Sequence, residues 1–290
     1  MEAAKIELIQ DYLNKAFYLI DEIQEVRDSC FISLICIDLP INYPLVYKLN
    51  KILRRIGKID KLDLLIESGG GDIDATAKIN SILKKRCKEF TAIVPFAAKS
   101  AATFLALSAD NLIICKSGEL GPVDPQVRHP TADIWIPAHS IKEALEFVEE
   151  TEDPLVKLSM ADKLDPFLMG AYMDATKAAE QYMEEVLDTL PDEKKENAIH
   201  TFTGKYRSHG YPIDEELCNK IGVITEKIEE DLEEKICDLH EIYFDLAFRL
   251  KFEDGVLIIQ SENLYEIEID GENISSELDI EMIKETEEDS

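Results

Sequence analysis

The chain has 290 residues, 46 % of them hydrophobic, enough to bury a sizeable core, so global disorder is not expected. Lysine and arginine number 31 against 60 aspartate and glutamate, a formal charge of −29 that argues against nucleic acid and anionic membrane surfaces as partners, because phosphates would be repelled. The six cysteines (Cys30, Cys36, Cys87, Cys115, Cys218 and Cys237) form no C-x-x-C pair and read as reduced, small hydrophobes of a reducing compartment.

Residues 1–29 carry charges throughout and no apolar h-region, so neither a signal peptide nor a membrane span is read there, and a cytoplasmic location is expected. Ile6, Ile9, Leu13, Phe17 and Ile20 recur at three- and four-residue steps and predict an amphipathic helix from about Lys5 to Glu25. Strands are expected over Cys30–Leu39, Lys61–Glu67, Phe90–Phe96 and Asn111–Cys115, separated by helices at Leu45–Ile56, from Asp72 to about Arg86, and at Ser100–Ala109. That alternation is a parallel α/β layout, and the near-continuous apolar strands fit a sheet covered on both faces.

After Lys116 the pattern turns helical: Ser140–Glu150, then Pro154–Leu190 with a break near Pro166, then Asp192–Thr201 and Pro212–Lys220. Ile228, Leu232, Ile236, Leu239, Tyr243, Leu246 and Leu250 form a heptad-like seam, which fits either packing on the body of the protein or a dimer contact. Val256–Gln260 and Leu264–Ile269 predict a hairpin, which must lean on something to be stable. The acidic stretch Glu281–Ser290 is expected to fray. Three domains are expected: residues 1–29, 30–225 and 226–290.

Two short segments are candidates for chemistry. Glu67-Ser68-Gly69-Gly70-Gly71-Asp72 lies at the carboxyl end of a strand, where α/β proteins place their sites. Its spacing is neither a dinucleotide fingerprint nor a phosphate loop, and Asp72 and Asp74 would repel phosphate. Bare glycine amides suit an oxyanion hole better, and a plain glycine turn is the competing account. The second segment is Phe96-Ala-Ala-Lys-Ser100-Ala-Ala-Thr103, where a serine follows a strand and opens a helix of small residues. Ser100 there is either an N-cap or a hydroxyl placed where a helix N-terminus and the Ala101 amide favour negative charge.

Taken together, the two segments resemble the layout of the Clp protease catalytic subunit and signal peptide peptidase A. The run Ser100-Ala-Ala-Thr-Phe-Leu-Ala-Leu-Ser-Ala-Asp110, Gly121-Pro-Val-Asp-Pro-Gln126, Thr203-Gly-Lys205 and His209-Gly-Tyr-Pro-Ile213 resemble the serine dehydrogenase proteinase family of that superfamily. The resemblance covers about Phe31 to Thr225. It implies a Clp/crotonase-like parallel sheet flanked by helices, with the C-terminal helix and hairpin as an extension. It also implies peptide-bond cleavage through a Ser100 acyl-enzyme, with Gly70, Gly71 and Ala101 forming the oxyanion hole, no cofactor, a peptide or unfolded-protein substrate and a homo-oligomer.

Two departures stand out: many relatives carry an N-terminal membrane helix and none is read here, and Lys99, a bulky cation, precedes the nucleophile; the histidine base of the Clp subunit is also absent near Val123-Asp124. By position, a lysine base of the signal-peptide-peptidase kind falls on Lys163 or Lys157, and such a lysine must be buried to be neutral. Asp124 would orient a base or stabilise its turn, and His209 is the histidine best placed by motif. His129, His139, His200 and His240 carry no motif, and no grouping has metal-ligand spacing. Two other functions are compatible with the fold: a crotonase-like acyl-CoA enzyme, and a non-catalytic scaffold that has lost its base.

Overall fold

The computed structural model describes residues 3–128 and 135–277, so His129 and the acidic stretch 281–290 lie outside the described residues. In chain order the first elements are α1 (Ala3–Arg27), β1 (Cys30–Ile37), α2 (Tyr43–Ile56), β2 (Ile59–Ser68), α3 (Ile73–Arg86), β3 (Cys87–Val94) and β4 (Ala97–Ala98). Next come α4 (Ala101–Leu107), β5 (Asn111–Ile114), β6 (Glu119–Leu120), β7 (Gln126–Arg128), β8 (Trp135–Pro137) and α5 (Ala138–Glu150). The remainder is α6 (Pro154–Ala161), α7 (Pro166–Val186), α8 (Asp192–Thr203), α9 (Glu215–Ile221), α10 (Glu230–Leu250), β9 (Val256–Ser261), β10 (Leu264–Ile269) and β11 (Glu272–Glu277). Among the described residues no helix is long and apolar enough to cross a membrane.

The described residues divide into two units, one within 3–120, 214–219 and 224–277, the other within 121–128, 135–213 and 220–223. The first is built on a sheet of order β11-β10-β9-β1-β2-β3-β5. Its β1, β2, β3 and β5 are parallel, with Ile32 opposite Leu64, Leu64 opposite Ala92 and Ala92 opposite Leu112. The central strands are apolar on both faces, as the sequence CFISLICI of β1 requires, because helices cover both sides. The expected C-terminal hairpin leans on the free edge of β1: β9 pairs with β1 antiparallel, β10 with β9, and a third strand, β11, with β10.

One face is covered by α1 and α10, whose Ile9, Leu13, Ile20, Leu239, Tyr243 and Leu246 form one cluster with Phe31, Ile35 and Ile258 of the sheet. The heptad-like seam is therefore intramolecular. The other face carries α2, α3 and α4. Asn42 caps α2 through its side chain and Asp72 caps α3, satisfying amides that a helix start leaves without partners. All six cysteines are free thiols. Burial pushes Cys36 and Cys218 up to about 12 and Cys30 and Cys87 up to about 11, which leaves them inert.

In the second unit β7 and β8 pair antiparallel, and α7 and α8 close a small core of Tyr172, Met183, Ala198 and Phe202. The predicted long helix breaks where Asp165 caps α7 and Pro166 follows it. Val123 N–H donates to Phe202 O at 2.7 Å, holding the Pro122–Pro125 turn on α8.

In the first unit, the start of the C-terminal segment is tied to the sheet by charge. Arg27 clasps buried Asp63 through two nitrogens at 2.8 and 3.2 Å and reaches Glu226 at 2.7 Å. Ser29 Oγ donates to the same aspartate at 2.8 Å. Asp63 is only 2 % exposed, so removing its cation strands a buried carboxylate. Arg27→Ala is expected to cost about 3–5 kcal/mol, seen as a lower denaturant midpoint at unchanged slope.

Candidate active site

Ser100 sits between β4 and α4 with φ 52° and ψ −120°, a conformation that side-chain-bearing residues avoid. Such a residue costs about 1–3 kcal/mol and persists only where its surroundings over-determine it. They do so here. Lys99 N–H donates to Ser68 O at 2.9 Å, Ala102 N–H to Lys99 O at 2.9 Å and Thr103 Oγ1 to Ala98 O at 2.6 Å. Every residue of α4 is buried, which anchors the far side of the elbow. The Ser100 hydroxyl makes no capping hydrogen bond, so the N-cap account fails and the hydroxyl is left available.

The glycine turn abuts this elbow. Gly70 has φ +104°, and a Cβ built on it would lie 2.7 Å from Ser100 Cβ and 2.7 Å from Lys99 O. Gly71 has φ +149°, and its Cβ would lie 2.4 Å from the backbone N and O of Ile41. Each is thus required twice over, for conformation and for space, whereas a Cβ on Gly69 would meet nothing within 4 Å. The turn is pinned by Ile41 N–H to Gly70 O and Asp72 N–H to Ile41 O, both 2.8 Å, and by Gly70 N–H to Ser68 Oγ at 3.1 Å. Those bonds engage the neighbours of the Gly71 N–H and leave that amide itself undonated; among the described residues the Ala101 N–H likewise donates to nothing. Lys99 does not crowd the site: its ammonium donates to Leu120 O at 3.0 Å and pairs with Glu119 at 2.5 Å, so its side chain runs along β6.

The base candidates lie in the second unit. Asp124 is buried in its Pro-Val-Asp-Pro turn, and its Oδ1 accepts from His209 Nδ1 at 2.5 Å. His209 keeps 31 % of its side chain exposed. Carboxylate-oriented imidazole is the arrangement a general base requires. Lys163, in the turn after α6, and Lys157, whose ammonium donates to Glu149 O at 2.8 Å, are both exposed. Neither has the burial asked of a lysine base. Among the described residues no group of His, Cys, Asp and Glu is arranged to hold a metal.

The sequence places Glu67 in the glycine segment without a role and gives His240 no motif, but the fold brings the two within 3.1 Å of each other. The signal was present in part, as a glutamate inside the apolar strand LDLLIES; its histidine partner, 173 residues away, gave none.

Residues 13–251 match the family of ClpP-like SDH-type serine proteinases. The chain belongs to that family. The match extends past both ends of the resemblance read from Phe31 to Thr225, taking in most of α1 and all of α10. Two uncharacterized proteins of Methanocaldococcus jannaschii are similar, one 31 % identical over 201 residues and the other 29 % over 185. These alignments take in 67 % and 63 % of this chain, and the chain spans only 63 % and 56 % of the relatives' length. Among solved structures, a variant of the membrane-bound stomatin-specific protease 1510-N aligns at TM-score 0.43 and 14 % identity, over 68 % of this chain and 79 % of that one. ClpP1 from Listeria monocytogenes aligns at TM-score 0.44 and 13 % identity, over 72 % and 98 %.

A methyl group on Gly70 would press directly on the elbow. Gly70→Ala is expected to abolish reaction of Ser100 with serine-directed probes, while Gly69→Ala, which meets open space, leaves the melting temperature unchanged; probe labelling and thermal unfolding of both variants check this.

Proposed function

We propose that this chain is a serine peptidase that cleaves peptide bonds through an acyl-enzyme on Ser100. The observation that supports the reading most is the pairing of an uncapped serine hydroxyl, on a strained elbow, with a glycine turn that has no room for a side chain. The hydroxyl attacks the substrate carbonyl carbon and gives up its proton to a base. The oxygen anion formed accepts from the Gly71 and Ala101 N–H groups. Collapse of the tetrahedral intermediate expels the amine, which takes a proton as it leaves, and water then releases the acyl group. Each oxyanion donor is worth about 10²- to 10³-fold in rate. Membership of a serine proteinase family agrees with this chemistry. The proposal includes a peptide or unfolded-protein substrate, self-assembly as in the Clp-type resemblance, and a reducing, cytoplasmic setting that suits six free thiols.

A fluorophosphonate probe tests the nucleophile. It is expected to label the full chain at Ser100, located by mass spectrometry of the modified peptide, and to leave Ser100→Ala unlabelled. Labelling that persists in that variant moves the nucleophile elsewhere, and no labelling of the wild type favours a non-catalytic scaffold. The same rates assign the proton acceptor. Loss of a general base slows acylation about 10²- to 10⁴-fold, and whichever of His209→Ala, Lys157→Ala and Lys163→Ala shows that loss identifies the residue in the role.

A further inference from the structure

Glu67 is the penultimate residue of β2, and the strand positions before it, Leu62, Leu64, Leu65 and Ile66, are buried and apolar. A carboxylate in that setting needs partners. It has two. Its Oε2 accepts the Ala97 N–H at 2.9 Å and lies 3.1 Å from Nε2 of His240 on α10. The two side chains are 8 % and 12 % exposed. The imidazole is itself held between rings, stacked on Phe96 with centroids 6.1 Å apart and tilted against Phe244 at 4.6 Å.

Ala97 opens the two-residue strand β4, three positions before Ser100. β4 has little backbone pairing of its own: Ala98 bridges to Ser68, and Ala97 and Ala98 pair with Glu119 and Leu120. The Glu67 carboxylate adds a charge-assisted hydrogen bond where the nucleophile segment begins. The end of β2 and the turn after it therefore hold, within five residues, the anchor of that segment at Glu67 and the turn glycines Gly70 and Gly71. Any shift of one relative to the other is resisted by a side chain that α10 immobilises.

We infer that Glu67, held by His240, is a positioning residue for the Ser100 reaction: it fixes the nucleophile segment on the end of β2, so that the hydroxyl and the oxyanion amides keep their reacting geometry. This rests on the reading of Ser100 as the nucleophile. α10 thereby becomes part of the reacting framework as well as a cover for the sheet.

The test uses the full chain and the fluorophosphonate probe, separating the maximal acylation rate from the probe's apparent binding constant, with thermal unfolding as the control for folding. Misplacing the nucleophile by about 1 Å costs on the order of 10²-fold, and Glu67→Ala is expected to lose that much in maximal rate with the binding constant unchanged. Glu67→Gln keeps an oxygen for the Ala97 N–H and an amide for the imidazole, and is expected to recover most of the rate. His240→Phe leaves a ring between Phe96 and Phe244 but removes the contact to the carboxylate, and is expected to fall between the two; it carries the test if Glu67→Ala does not fold. The inference is overturned if folded Glu67→Ala or His240→Phe acylates at the wild-type maximal rate, or if the whole loss lies in the binding constant. A wild-type chain that the probe ignores overturns the serine-nucleophile reading, and this inference with it.

Discussion

The architecture turns on one close approach: the backbone of Gly70 lies against the Cβ of Ser100, in a space where no further carbon fits. Two βα connections, one after β2 and one after β4, must arrive there together. Parallel strands give that convergence, because their carboxyl ends lie on one edge of the sheet and each connection starts from it. The bridge between Ser68 and Ala98 and the Lys99 N–H bond to Ser68 O set the two turns in register. The second glycine meets a separate limit, the backbone of Ile41, so the loop after β1 is also part of the frame.

Strain is the counterpart of that convergence. Ser100 is held at positive φ by hydrogen bonds on either side and by a helix whose seven residues are all buried. Small residues in α4 allow this, since Ala101, Ala102 and Ala106 let the helix sit close to the sheet. The antiparallel strands β9–β11 and helix α10 extend the same body from the β1 edge. Through the Arg27–Asp63–Glu226 cluster and the Glu67–His240 pair, the C-terminal segment is fastened to the strands that carry the site.

Much of the first unit was legible in the sequence because buried parallel strands leave unbroken apolar runs, and β1, β2, β3 and β5 each did so. The glycine turn was legible for a related reason, since local geometry demands Gly70 and Gly71, whereas Ser100 stood out only as a serine opening a helix of small residues, in a conformation that local geometry disfavours. The two-residue strands β4 and β6 were not, since their pairing arises only when distant segments meet. β11 was missed because its sequence, ENISSE, has little apolar character. The heptad-like spacing of α10 left its partner undetermined, because a seam of Leu and Ile packs equally well on a second chain or on α1. Lysine as the base was suggested by position alone, whereas the fold supplies a carboxylate to His209 and leaves Lys157 and Lys163 exposed. Side-chain partnerships between residues far apart in the chain leave almost no periodic trace, which is why the pairing of Glu67 with His240 is visible only in the fold.

In the proposed reaction, one oxygen bound to a tetrahedral centre on Ser100 receives two backbone N–H groups. A crystal structure of the full chain with a peptide boronate tests it most directly. The account predicts a covalent bond from Ser100 Oγ to boron, with one boronate oxygen at hydrogen-bonding distance from both the Gly71 and Ala101 nitrogens. A boronate attached to another residue, or one on Ser100 whose oxygens all face away from those amides, would contradict it.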